Sequence, residues 1–283
     1  MIAHLERDLE TPLLWLICQL HGNELDLRHF FQKCDRGFGT SGPESFAGPI
    51  GKACKGELHL LDTVKFEQID TPLLDLDESV WKDLSQDQQL LYRWTKAIST
   101  GVVPLKLAGT VIGGINHSRW LTLAARLAQL YTSTPHPSPG LIEVVHYIVQ
   151  VYAPSWFQIK ANSRFTSGPA NLFKHMQLIK AQSIETQVVV KQVVQRNGYF
   201  ADPGVLLCSM LASEIDSVRC KAFSLIKATR LELYKPPREK VLRSMRQFQI
   251  SALNWDAENW WDIIDWSKVQ IVEPKILSNI SSD

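Results

Sequence analysis

The sequence predicts a mainly α-helical, multi-helix globular protein. Apolar residues recur at steps of three and four along most of the chain, the spacing that gathers them on one face of a helix. Strand signals are few, and VKFEQI at 64–69 is the best of them. No repeat with a period of about 20 to 50 residues is present, so no solenoid is expected. The 283 residues suffice for a sizeable core, and nine tryptophans are large side chains to fill it. A charged fraction of 21% and a net charge of +1 give no whole-chain preference for nucleic acid, membrane or acidic substrates, so any such preference must be local.

The elements follow in order. A helix is expected over 2–21, with Leu5, Leu9, Leu13, Leu16, Ile17 and Leu20 in register and Pro12 as a kink. Gly22 should end it, and Asn23 should cap a second helix over 24–33. The glycine- and proline-rich stretch 36–56 reads as a loop. Ser85 caps an amphipathic helix running to about residue 100, and 101–114 is a loop or hairpin. Asn116 or Ser118 can cap a helix over 119–131, in which Trp120, Leu121, Ala124, Leu127, Ala128 and Tyr131 form one apolar stripe. TPHPSPG is a turn, and the long apolar helix 140–160 should bend or break at Pro154. Helices at 168–182, 184–197, 203–213 and 215–233 complete the series, the third opened by the Asp202-Pro203 pair. Beyond Pro236-Pro237 a short basic helix is expected at 238–247.

Four regions result: a helical hairpin with a Cys-x2-His motif at 1–35, a loop-rich connecting region with one amphipathic helix at 36–115, a helical domain at 116–250, and an acidic, aromatic tail at 251–283, disordered at its end. Five cysteines, an odd number spread through apolar segments, imply free thiols in a reducing compartment. The start, MIAHLERDLE, lacks the apolar core of a signal peptide, and the apolar runs are too short to span a bilayer. An intracellular protein, nuclear or cytoplasmic, with no membrane partner is expected.

Cys18 and His21 lie three residues apart and share a helical face; with His29 and Cys34 they could supply zinc ligands only if the hairpin folded back at Gly22. Cys18 sits within LLWLICQL, a segment apolar enough to be buried whole, so packing is the stronger reading and no metal site is assigned. GPIGK at 48–52 is not a phosphate loop, because Phe46 and Ala53 stand where the glycine and the hydroxyl are needed. No G-x-S-x-G and no recognisable cysteine–histidine protease context appear, so no catalytic residue is assigned. Asp70, Asp75, Asp77 and Glu78 read as a solvated loop. Between Arg219 and Arg246 bases outnumber acids, and Lys227, Arg230, Lys240 and Arg243 are the candidate phosphate ligands, against a solvated helix face balanced by the acidic tail. Arg119 at a helix start faces the positive end of the dipole, which calls for a specific partner.

The strings WLICQLHGNELDLRHFF, TSGPESFAGPIGK, HSRWLTLAARLAQLY, VYAPSWFQIK and VVQRNGYFADPGVLL occur in this order. Together they resemble a family of uncharacterised, multicopy animal proteins, also present in some insect-virus genomes and derived from mobile elements. The resemblance covers nearly the whole chain. Two departures stand out: Asp26 replaces the family's proline, and CDRG follows where the family has LDG. More distantly, the chain is similar to hAT-type DNA transposases, in which a Cys-x2-His motif follows the second catalytic aspartate of an RNase H-like domain and an Arg-Trp pair lies in or near an inserted helical domain. Cys18 and His21 match the first motif, Arg119 and Trp120 the second.

The resemblance implies two magnesium ions held by three acidic residues. Two of those should precede the Cys-x2-His motif, where no strand pattern or Asp-Gly-Thr segment is found. The third is unmatched, with Glu143, Glu185 and Glu214 left open. The expectation is therefore a catalytically incomplete transposase-derived protein: the helical insertion and remnant of an RNase H-like fold, cofactor-free unless a complete catalytic domain lies upstream to take Mg2+. Its residual role would be binding of nucleic acid or a partner, with DNA and self-association as candidates. The alternative is a helical interaction or scaffold module without DNA function.

Overall fold

The structure, a computed structural model, describes residue 8 and residues 18–115, 120–164, 167–197, 210–211 and 216–230. It is mainly helical, with no strand among the described residues. The chain divides into two compact units, one formed by Asn23–Asn162 and Leu178–Val190, the other by Met1–Gly22, Ser163–Gln177 and Lys191–Asp283. Residues 36–115 lie in the same unit as residues 120–162.

Helix α1 (Gln19–Cys34) corrects the expected hairpin, because it runs unbroken through Gly22 and Asn23. Gly22 donates its N–H to the Cys18 carbonyl at 2.9 Å, as an interior residue does, and is not among the glycines with positive φ. A glycine permits a left-handed stop but does not compel one, and its cost inside a helix is about 1 kcal/mol. Full burial of Leu27, Phe30 and Phe31 on the next turns outweighs that. Asn23 caps nothing; its amide donates to the Tyr152 carbonyl at 3.0 Å in the interior.

After α1 come α2 (Pro49–Cys54), a 3-10 turn at Leu58–Leu60, α3 (Glu78–Lys82), α4 (Gln86–Thr100), α5 (Leu105–Ala108) and α6 (Trp120–Thr132). Helix α4 starts as expected: the Ser85 N–H donates to the Gln88 side chain at 3.1 Å, and Gly101 closes the other end at φ 71°. Its apolar face, with Leu90, Leu91, Trp94 and Ile98, lies on α6. Helix α6 exceeds its expected stripe: every residue except Leu121 is buried, because α4, α2 and the next helix enclose it. Its polar side chains find carbonyls, as when Gln129 donates to Ala108 at 2.9 Å and Thr110 at 3.2 Å.

Helix α7 (Pro139–Tyr147) passes through a π-helical turn (Ile148–Tyr152) into α8 (Ala153–Ala161). The disturbance expected at Pro154 is real but falls one turn earlier. Proline has no N–H for the carbonyl four residues back, and widening the preceding turn accommodates its ring without a break. The position so deprived, Gln150, is the one half-buried residue between Tyr147 and Phe157.

The strand expected at 64–69 is instead an irregular strap with no ladder partner. The Val64 N–H donates to the Thr132 carbonyl at 2.9 Å, Ile69 to Ile98 at 3.4 Å, and the Thr71 hydroxyl to Val149 at 2.6 Å. The strap therefore serves helix carbonyls rather than another strand. That is how an alternating segment reads like a strand and is none.

Helices α9 (Gly168–Lys180), α10 (Ile184–Asn197) and α11 (Asp216–Arg230) match the expected helices at 168–182, 184–197 and 215–233. The helix at 203–213 apart from Met210 and Leu211, the basic helix at 238–247 and the tail at 251–283 lie outside the described residues. Among the described residues no helix is long and apolar enough to cross a membrane.

Candidate functional site

The opening motif does not gather into a ligand set. Cys18 is exposed, against the expectation that it is buried. With the hairpin replaced by one helix, His21 and His29 stand eight residues apart (29 − 21), roughly 12 Å of helical rise. His29 Nδ1 lies 2.8 Å from the Leu25 carbonyl of its own helix. Cys34 is buried at the far end, its thiol 3.8 Å from Glu143 Oε2, and burial pushes its pKa up to about 12. Cys54 is likewise pushed up to about 12 by complete burial. Neither thiol forms a thiolate nucleophile at neutral pH. Among the described residues no three His, Cys, Asp or Glu side chains converge to hold a metal ion.

Trp120 is a core residue, 5% exposed, its ring 6.4 Å from that of Phe46. Arg119 lies outside the described residues, as do Glu214, Lys240 and Arg243. Lys227 and Arg230 fall in the last turns of α11, their side chains undescribed; on the same helix Lys221 is exposed and Arg219 pairs with Asp216. Glu143 forms an ion pair with Lys33 at 2.6 Å, and Glu185 is exposed in the first turn of α10. The acidic loop is at the surface: Asp77 caps α3 by accepting from the Val80 N–H at 2.9 Å, Asp75 pairs with Lys96 at 2.8 Å, and Glu78 pairs with Lys82 at 2.8 Å.

Sequence reasoning missed the most elaborate polar arrangement, around α2. The carboxylate of Asp35, fully buried, accepts from the Ile50 N–H at 2.8 Å and the Gly51 N–H at 3.1 Å. Its pKa is raised by burial, against the lowering pull of those two N–H groups. GPIGK thus does cradle an anion, and the anion is the protein's own. At the other end of α2, Arg126 donates through Nε to the Cys54 carbonyl at 2.5 Å and through Nη1 to Ile112 at 2.6 Å, and its Nη2 donates to Gly56. A negative group at the N-terminus and a positive group at the C-terminus both suit the helix dipole. An arginine amid WLTLAARLAQLY was the available signal.

A second buried cluster lies where α1 faces the π turn. Asn23 and Asp26 are buried there, and burial raises the pKa of Asp26, Tyr147 and Tyr152 well above ordinary values, with Asp26 adding to the effect on Tyr147. Beside it Glu24 is raised from 4.5 to about 6 by partial burial. A raised carboxyl pKa means that the folded state holds its proton more tightly. Glu24's contribution is therefore complete below pH 4.5 and is lost as pH rises through about 6. Glu24→Gln should match the parent in urea denaturation at about pH 4 and exceed it at about pH 8; equal midpoints at both pH values would refute this.

A further concave feature among the described residues is an open groove of about 400 Å³ between α4 and α5, lined by Trp81, Tyr92 and an aliphatic floor, with Arg93, Lys96 and Lys106 at its rim. No family of known proteins, no curated protein and no solved structure matches this chain. Fold and geometry together define a mainly helical globular protein in which Asp35 and Asp77 serve helix N-termini and Asp75 and Glu143 pair with lysines.

Proposed function

We propose that this chain is a transposase-derived helical protein that works by binding, without nuclease or strand-transfer chemistry of its own, and that its basic C-terminal segment contacts nucleic acid. The observation supporting a non-catalytic role is the use already made of the chemistry-bearing groups. Asp35 and Asp77 hold helix N-termini, Asp75 and Glu143 neutralise lysines, and Cys34 and Cys54 are buried with raised pKa. The nucleic-acid half rests on the sequence resemblance and on the run of bases that begins on α11 with exposed Lys221 and continues through Lys227 and Arg230.

The test is DNA binding across a salt series. Binding should weaken steeply with salt, and alanine at Lys227, Arg230, Lys240 and Arg243 should flatten the log–log slope by roughly one unit for each phosphate no longer neutralised. An unchanged slope removes the assignment to these residues, and no binding at low salt removes the nucleic-acid reading altogether. Cleavage of DNA that depends on magnesium and is stopped by EDTA would overturn the non-catalytic half. The groove between α4 and α5 supports a second reading, a protein-interaction module without DNA function.

A further inference from the structure

We propose that the groove between α4 and α5 docks an acidic amphipathic segment of a partner protein. This deepens the second reading above and is independent of the nucleic-acid one. Gly101, at φ 71°, ends α4 and turns the chain so that Val102 donates back to the Ala97 carbonyl at 3.2 Å. This close return lays Val102, Pro104 and Leu107 beside Ala97 as one apolar floor. Val102 is 65% exposed, and Leu105, on the adjoining helix, is 92% exposed. Single exposed apolar residues need no explanation, but these border an open groove of about 400 Å³, room for a few side chains.

Charge selects the occupant. Arg93 and Lys96 project from α4, one turn apart, and Lys106 from α5, so cations stand on both walls. No acidic side chain lines the groove among the described residues. Asp75 offsets Lys96 at 2.8 Å, which still leaves positive charge in excess at the rim. Apolar anchors flanked by acids meet both features at once: a helix laid in a groove buries its apolar side and leaves its carboxylates at a cationic rim. Single-stranded nucleic acid fits less well, because it needs open ring faces for stacking. The Arg93 guanidinium lies 5.5 Å from the Trp81 ring centre and the Lys96 ammonium 5.9 Å from that of Tyr92. Tyr92 also packs edge-on against Trp81 and Phe157.

The probe is a fluorescein-labelled synthetic peptide of roughly four helical turns, with leucine and tryptophan at i, i+3, i+4 and i+7 and glutamate elsewhere. Fluorescence anisotropy with the full chain should show binding that weakens with salt. Lys106→Glu should weaken it about tenfold, and Val102→Glu more. Both side chains are exposed, so the urea midpoints of the variants should equal the parent's, which separates a docking defect from a folding defect. The proposal fails if the peptide does not bind, if a version with lysine for glutamate binds equally well, or if neither variant changes the affinity. Displacement of the peptide by oligothymidine that is blocked by Lys106→Glu would assign the groove to nucleic acid instead. Alanine at Lys227, Arg230, Lys240 and Arg243 should leave peptide binding unchanged, so this result and the DNA result fail separately.

Discussion

Arg126→Met should lower the unfolding free energy by about 3–5 kcal/mol. Arg126 is 7% exposed, and its guanidinium donors are shared among the carbonyls of Cys54, Gly56, Ile112 and Gly113. Burial depresses its pKa below the usual arginine value, and no ion pair with a carboxylate among the described residues holds it. Its charge is met by backbone dipoles, including the last carbonyl of α2. Methionine keeps most of the volume but strands the buried carbonyls of Cys54 and Ile112. Arg126→Lys should recover only part of the loss, since one ammonium cannot span carbonyls that a planar fork reaches on separate sides. Urea denaturation followed by circular dichroism measures both; a loss below about 1 kcal/mol for Arg126→Met would refute the clamp.

The second large effect concerns the other end of α2 and is best read as a double-mutant cycle. A Cβ built on Gly48 runs into the Asp35 carboxylate, whose atoms are its nearest neighbours. Gly48 has φ −71° and ψ 172°, a conformation open to alanine, so the nearest obstacle is that carboxylate and not the backbone. Gly48→Ala should therefore cost about 2–3 kcal/mol in the parent, and Asp35→Ala about as much by stranding two buried N–H groups. In the Asp35→Ala background the Gly48→Ala cost should fall to about 0.5 kcal/mol. Additive effects would show that the carboxylate is not what Gly48 makes room for.

What could be read from the sequence follows a physical line. Helices α4, α6 and α7 to α8 were legible because their signals are local: a Ser85 cap with Gln88, a dense apolar period, and a proline that must disturb the backbone before it. The errors lie where a residue had two uses and tertiary contacts chose. Gly22 and Asn23 are stop-and-cap residue types, yet one sits inside a helix and the other reaches across to Tyr152. The 64–69 segment has a strand's alternation, but its donors go to the ends of helices. Cys18 lies in an apolar stretch of sequence and is nevertheless exposed. The pairing of Asp35 with α2 and of Arg126 with four carbonyls involves partners 13 to 72 residues away, which no windowed pattern connects. GPIGK is no phosphate loop, yet its glycines still make room for an anion.

The strap over 61–77 has a consequence for the order of assembly on the ribosome. Synthesis runs from the N-terminus, and the strap emerges before most of the carbonyls it serves. Ile69 waits for Ile98, Val64 for Thr132, and the Thr71 hydroxyl for a residue made 78 positions later. Until then its donors have only water, and nothing local holds its shape. A segment early in the unit thus gains its backbone partners only once helices made after it are in place.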